Sequence, residues 1–433
     1  MENRNITGFR SGYEMLSKFE SRGHHPVFLT ISRESSISYT YSTKTRDDQD
    51  ENRFYLKKIV LTLIWLVGGT ALYIKGRESI VLDFINYSKE DRELQISFSE
   101  MEKIYQKKFR IERTDKDIEN KEESLVIQEN IQGERIGLDL GGSDRKVSAV
   151  KDGRVVFSEE TLWSPKTQSD ISYHYQGILE SLNKAKSHLS HIDRIGISTA
   201  GIIKDSQMLQ ASLFRKVKDE NYSVRNFFPE FMKKEFPGIP YRILNDGDVS
   251  ALSGSIRFQQ GNILGIAMGT SLGGGYVRQR NTLSGWIVEL GKIPIDYSKE
   301  ALVHYAMSIQ GAGSEYLSQK GIIRILKEKG ITYEGELPKQ LMKIQEETEK
   351  GNPEVIDAYK TFGILLGEAL LLYHLFFSFD HVLLLGRVMS KKGGDILIEE
   401  ARQQLKKHHI QIALDTADET FKRLGQSYIA SML

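Results

Sequence analysis

The sequence has no cysteine in 433 residues. Disulfides, thiolate zinc sites, iron–sulfur clusters and cysteine nucleophiles are therefore excluded. Charge of one sign is lacking too: 59 Lys and Arg stand against 58 Asp and Glu, a net charge of +1. That balance argues against a general nucleic-acid binder, which shows a basic surplus or stripe. None of the ten histidines forms an HxxxH or HExxH metal pair. The start, Met1-Glu2-Asn3-Arg4-Asn5, lacks the apolar core of a secretory signal. The apolar run Ile59 to Ile74 is 16 residues long and carries Gly68-Gly69 inside it. It falls short of the ~18–20 residues of a spanning helix. A buried helix, a glycine turn and a strand from Thr70 to Ile74 are expected instead. A cytoplasmic protein with neither membrane nor nucleic acid as partner is the expectation.

What is present is an α/β pattern long enough for about three domains or subdomains. The first stretch, to Glu134, opens with a β-rich run from Val27 to Thr45 that suggests a hairpin or a long strand. An acidic loop (Asp47, Asp48, Asp50, Glu51), the apolar helix and strand, and further helical patterns to Lys107 follow. Glu112 to Glu123 reads as an exposed connector, and no helix-turn-helix run with a recognition helix is visible. From Arg135, apolar strands (RIGLDL, RVVFSE, RIGIST, YRILND, NILGIAMGT, HVLLLG) alternate with helical runs. Helices are expected over Asp170 to His188, Val249 to Phe258, Glu354 to Phe377, Asp395 to Lys407 and Ala417 to Met432. The apolar helix Glu354 to Phe377 suits a subdomain core or the face of a homodimer.

Three motifs carry chemistry. In Asp139-Leu-Gly141-Gly142-Ser143-Asp-Arg-Lys146, an apolar strand delivers a carboxylate, two glycines and a hydroxyl into a tight turn before another strand. Such a turn is a plain hairpin or a phosphate cradle of backbone N–H groups, with Asp139 holding Mg²⁺ through water. Gly269-Thr270-Ser271-Leu272-Gly273-Gly274-Gly275 repeats the design after a second apolar strand. Two such loops can grip a triphosphate from opposite sides of a cleft. Neither has a Walker lysine or opens a helix as a dinucleotide fingerprint does. Between them, Asn245-Asp246-Gly247-Asp248 ends a strand and begins a helix. Asp246 can accept a proton from an attacking hydroxyl while Asn245 orients it, or Asp246 or Asp248 can simply cap the helix.

In this order these residues resemble the ROK family of sugar kinases and related proteins, within the actin/Hsp70/hexokinase ATPase superfamily. The phosphate-1 pattern resembles Asp139 to Lys146, the sugar-and-base pattern Asn245-Asp246, and the phosphate-2 pattern Gly269 to Gly275. Ile197 to Gly201, with Ser198 and Thr199, stands where the family has a sugar-side turn. Glu289-Leu-Gly291-Lys292-Ile-Pro294 is similar to the sugar-contact motif, Glu315 to a substrate-side glutamate, and Gly386-Arg387 to the nucleoside turn. The family's cysteine-rich zinc motif is absent, and Lys292 stands where its histidine contacts zinc and sugar.

The resemblance implies an actin-like ATPase (ribonuclease H-like) fold of two subdomains, 135–250 and 251–433, after an additional α+β region, 1–134. It implies ATP and Mg²⁺ as cofactors and phosphorylation of a sugar hydroxyl with Asp246 as base, while the missing cysteines and Lys292 lead to the expectation of no zinc. The competing class keeps the fold but is a non-catalytic sugar- or nucleotide-responsive regulator or scaffold. Arg387, Lys292 and the long N-terminal region favour that class, and Asp246 favours the enzyme. Lys292 is expected to bond a substrate hydroxyl or pair with Glu289, unless it is a surface lysine. Trp286 suits either a sugar-stacking ring or a core residue.

Overall fold

The computed structural model describes residues 8–34, 36–128, 132–210, 212–218, 224–416 and 426–433. They form two compact units. The first comprises Met1–Ser124, Ile266–Gly274 and Ser284–Thr416, and the second Leu125–Gly265, Gly275–Leu283 and Ala417–Leu433. This division cuts across the three consecutive segments expected from the sequence.

The first unit opens with α1 (Gly12–Arg22), β1 (His25–Arg33), β2 (Ile37–Thr45), α2 (Gln49–Val67), β3 (Ala71–Gly76), α3 (Glu78–Glu90), α4 (Arg92–Tyr105) and β4 (Arg110–Arg113). The expected hairpin is β1–β2, paired from His25 opposite Thr45 to Arg33 opposite Ile37. With β3 antiparallel to β1 and β4 parallel to β3, the sheet order is β2-β1-β3-β4. Ser11, Asp48 and Asp91 accept the first free N–H groups of α1, α2 and α4. Asp50 and Glu51, expected in a loop, form the first turn of α2, where the helix dipole favours acids. From Ile59 to Val67 every side chain of α2 is buried. Gly68 ends the helix at φ +75°, and a Cβ there would lie 2.4 Å from the Tyr105 hydroxyl. Among the described residues no helix is long and apolar enough to cross a membrane.

The second unit follows with β5 (Leu125–Val126), β6 (Glu134–Leu140), β7 (Asp144–Lys151), β8 (Arg154–Leu162), α5 (Ile171–Lys186), β9 (Arg194–Thr199), β10 (Ile202–Lys204), β11 (Gln207–Gln210), α6 (Phe227–Glu235), β12 (Tyr241–Asn245) and α7 (Asp246–Phe258). Its sheet runs β12-β9-β6-β7-β8, with β6, β7 and β8 an antiparallel meander and β9 and β12 parallel to β6. Alternation sends Ile136, Leu138 and Leu140 to the core shared with α5 and α6. Gly137 and Gly196 face the C-terminal segment so closely that a Cβ would stand 1.8 Å from the Ser427 carbonyl and 1.7 Å from that of Ala430. Of the helix expected over Ala417 to Met432, residues 426–430 are helical and 417–425 lie outside the described residues.

β13 (Ile263–Met268) and β14 (Leu272–Gln279) are each divided between the units, and β15 (Thr282–Leu283) pairs with β14 and β5 in the second. The first unit closes with α8 (Gln319–Glu328), α9 (Leu337–Glu349), α10 (Pro353–Phe376), β16 (His381–Leu385), α11 (Lys391–Lys407) and β17 (Ala413–Thr416). The apolar side chains of α10 are buried within that unit, where the helix packs on α1, α8, α9 and α11. Of its two readings, the core is the one realised.

Candidate active site

In the second unit the parallel strands β6, β9 and β12 bring their carboxyl ends to one edge of the sheet, where open α/β sheets bind ligands. Register sets Lys146 opposite Asp139, Asp139 opposite Ser198, and Thr199 opposite Asn245. Asp246 then opens α7. Six residues from three separate stretches of the sequence thus meet at one edge.

Asp139 is buried there, and burial raises its pKa to about 7. The charges of Asp246 and Asp144 push the same way, while the Ser198 hydroxyl and Lys146 oppose. Thr199 Oγ1 is buried with no hydrogen-bond partner. Asn245 is the N-cap: its Oδ1 accepts the Gly247 N–H at 2.7 Å and its Nδ2 donates to the Gly201 carbonyl. Capping, expected of Asp246 or Asp248, therefore falls first to Asn245, although Asp246 Oδ1 also accepts that N–H at 3.0 Å.

Two further residues of this unit were missed in the sequence. Gln426 Nε2 donates to the Asp246 carbonyl at 3.1 Å and to Ser250 Oγ, and its Oε1 lies 3.1 Å from Ser198 Oγ. Lys166 follows β8, and its ammonium lies 2.8 Å from where a Cβ on Gly142 would stand. Burial and the Arg215 charge lower its pKa, against the pull of Asp246. The Gly141–Ser143 turn is pinned by Trp163, whose Nε1 donates to the Gly141 carbonyl at 2.8 Å and whose backbone N–H donates to that of Ser143 at 3.1 Å.

This donor set fits the expected groups. Desolvated carboxylates that repel one another are relieved by a divalent cation. A glycine turn flanked by Lys146 and Lys166 suits an anionic phosphate.

In the first unit, Gly269, Thr270 and Ser271 join β13 to β14, and the Gly269 carbonyl accepts the Gln319 N–H at 2.9 Å. A Cβ on Gly269 would meet nothing within 4 Å, and one on Gly273 only Ala267 at 3.9 Å. Open backbone therefore lies at those two positions. At Gly274 a Cβ would stand 2.5 Å from Leu290, and within the second unit one on Gly275 would stand 2.1 Å from the Gly247 carbonyl. Gly386 ends β16 at φ +102° and admits no Cβ against the Met268 carbonyl, 2.3 Å away. The exposed Arg387 gives its carbonyl to Gln345 Nε2 at 2.7 Å.

Lys292 Nζ lies 3.4 Å from Glu289 Oε2 and 4.1 Å from the centre of the Trp65 ring. The pairing expectation is the one realised. The preceding Val288 holds φ +41°, a left-handed conformation costing a β-branched residue about 1–3 kcal/mol. Glu315 Oε1 is buried, 4.0 Å from Lys320 Nζ and without a hydrogen-bond partner. Asp296 accepts the N–H groups of Arg10 and Ser298 and the Tyr316 hydroxyl. His304 Nδ1 accepts the N–H groups of Ala306 and Met307. Trp286 is 5 % exposed and packs edge-on against Tyr39 and Phe377, a core residue.

The family model "ROK family" matches residues 135–425. The chain belongs to the ROK family. An N-acetyl-D-glucosamine kinase of Haemophilus influenzae is 25% identical over 293 residues, 64% of this chain and 90% of that protein. A ROK family glucokinase from Streptomyces griseus, solved with glucose and AMPPNP, superposes at a TM-score of 0.52 with 20% identity, over 69% of this chain and 98% of its own. A ROK family transcriptional regulator, a homologue of the E. coli MLC protein, does so at 0.55 with 18% identity, over 70% and 79%. The fold is the actin-like ATPase fold of these structures, and the family match leaves residues before 135 outside it.

Proposed function

We propose that this ROK protein transfers the γ-phosphoryl group of ATP to a carbohydrate hydroxyl, in the presence of Mg²⁺. The observation that carries the reading is the gathering of Asp139, Ser198, Asn245 and Asp246 at one sheet edge, with Asp246 at the start of α7. Asp246 takes the proton of the attacking hydroxyl as the new O–P bond forms, and the bond to the bridging oxygen of ADP breaks. The Gly141–Ser143 turn, Lys146 and Lys166 receive the phosphates on the second unit. On the first unit Gly269, Thr270, Ser271 and Gly273 receive them, and Gly386-Arg387 flanks the nucleoside. The sugar-side residues are Glu289, Lys292 and Glu315 on the first unit, and Ser198 and Thr199 on the second. Mg²⁺, when bound near Asp139, neutralises charge building on the phosphates. The remaining contribution is alignment.

ADP release with ATP–Mg²⁺ over a sugar panel that includes N-acetyl-D-glucosamine and glucose tests the reading. Sugar-dependent ADP supports it. Thermal stabilisation by a sugar without any ADP release instead establishes the regulator reading, which Arg387 and the likeness to a ROK regulator favour.

A further inference from the structure

The last carbonyls of a helix have no partner within it and, when buried, need donors from elsewhere. At the end of α2 the Gly68 N–H returns to the Ile64 carbonyl at 3.0 Å, which leaves those of Trp65, Leu66 and Val67. All three residues are fully buried. The Glu289 N–H fills Trp65 at 2.8 Å and the Val288 N–H fills Leu66 at 2.9 Å. The Arg33 guanidinium fills Val67 at 2.8 Å and reaches the Gly285 carbonyl at the same distance. Lys292 adds the fourth contact, its ammonium held over the Trp65 ring near the negative end of the helix. The indole is fixed in turn, donating from Nε1 to Ser97 Oγ on α4 at 3.2 Å.

The segment proposed above to contact the sugar is therefore also the cap of α2. Two features make that cap more than packing. Val288 sits in a left-handed conformation that a free turn would abandon, and its N–H is tied to the helix end. Lysine carries a long, flexible stem, so an ammonium that pairs with Glu289 in one place needs a second anchor. The Trp65 face is that anchor.

We propose that the end of α2 is a positioning element for the Glu289–Lys292 turn, with Trp65 the residue that sets the ammonium against the Glu289 carboxylate. The inference rests on the sugar-contact reading of that turn. It brings a region outside the family match into acceptor binding.

Trp65→Leu keeps apolar bulk and removes the aromatic face. The expected result, with N-acetyl-D-glucosamine or glucose as acceptor, is a rise of about tenfold in acceptor KM. kcat and the KM for ATP should stay within about twofold, and Trp65→Phe should recover most of the loss. A folded Trp65→Leu with unchanged acceptor KM overturns the proposal. So does a uniform loss in kcat and both KM values, the mark of a merely structural role. If Trp65→Leu does not fold, Ser97→Ala, which frees the indole, takes its place with a smaller rise of the same kind. Amide hydrogen exchange on the wild-type chain separates this proposal from the kinase reading. The Val288 and Glu289 amides should open together with the last turn of α2 even if no sugar is ever phosphorylated. Independent exchange of those two amides overturns the brace whatever the enzyme assay gives.

Discussion

Gln426 holds the first residue of α7 from the far end of the chain: its Nε2 donates to the Asp246 carbonyl at 3.1 Å, across a sequence separation of 180 residues. The same amide reaches Ser250 Oγ, which itself donates to the Asp246 carbonyl at 2.7 Å. Gln426→Met keeps the length of the side chain and removes the donor. A lost hydrogen bond of this kind is worth about 1 kcal/mol, so kcat is expected to fall by roughly five- to tenfold. Steady-state kinetics decide: a kcat equal to the wild type would show that Asp246 needs no such tether.

The glycines of the second turn are predicted to separate by substitution. Gly269 has open space where a Cβ would go, whereas at Gly274 the Leu290 side chain stands 2.5 Å away. Gly269→Ala should leave the melting temperature within about 2 °C and weaken ATP binding, because the methyl group occupies the face a phosphate approaches. Gly274→Val should instead destabilise the fold by about 1–3 kcal/mol through overpacking, with or without ATP. Thermal melts and ATP titration of both variants check this. Undiminished ATP affinity in Gly269→Ala removes that turn from the nucleotide site.

Much of this was legible because the signals are local. Asp139 and Gly141-Gly142 end one apolar run, Ser198-Thr199 a second and Asn245-Asp246 a third, so small and polar residues at strand ends mark the edge where β6, β9 and β12 finish, and Gly269 to Gly275 mark the end of β13 in the other sheet. Gly68-Gly69 likewise marked the stop between α2 and β3. Lys166, Gln426 and Trp65 carry no such mark. Each acts on a residue distant in sequence, and none stands at a spacing that a helical or strand period would single out. The roles within Asn245-Asp246-Gly247-Asp248 were also illegible, since any of three polar residues can cap a helix and only the bonds of Asn245 show which one leads.

His304 supplies a pH dependence. Burial first, then the nearby Lys292 and Lys320 charges, lower its pKa to about 4. The unfolded chain titrates near 6.5. Between these values the unfolded state binds a proton that the folded state refuses, so stability is full above about pH 6.5 and is lost as pH falls toward 4. Relative to pH 7.5, the loss at pH 5 should be about 2 kcal/mol. His304→Asn keeps an acceptor for the Ala306 and Met307 N–H groups and cannot take up a proton. Urea unfolding at both pH values should show a smaller pH difference in this variant, and an equal difference would assign the acid sensitivity to another group.

Asp246→Asn is the most direct test of the chemistry. The substitution keeps the size of the side chain and an oxygen able to accept the Gly247 N–H, now 3.0 Å from Asp246 Oδ1, so α7 should still begin where it does. It removes the group proposed to accept the proton of a sugar hydroxyl, and general-base catalysis contributes about 10²–10⁴ in rate. Sugar-dependent ADP release should therefore fall by that factor, while stabilisation by ATP–Mg²⁺ persists. The charge removed is also one that raises the pKa of Asp139, so the variant should be at least as stable as the wild type in the absence of ligands. Together these separate a lost base from a lost fold: slow turnover in a chain that melts no earlier assigns the proton to Asp246. Turnover at the wild-type rate would mean that the hydroxyl loses its proton elsewhere.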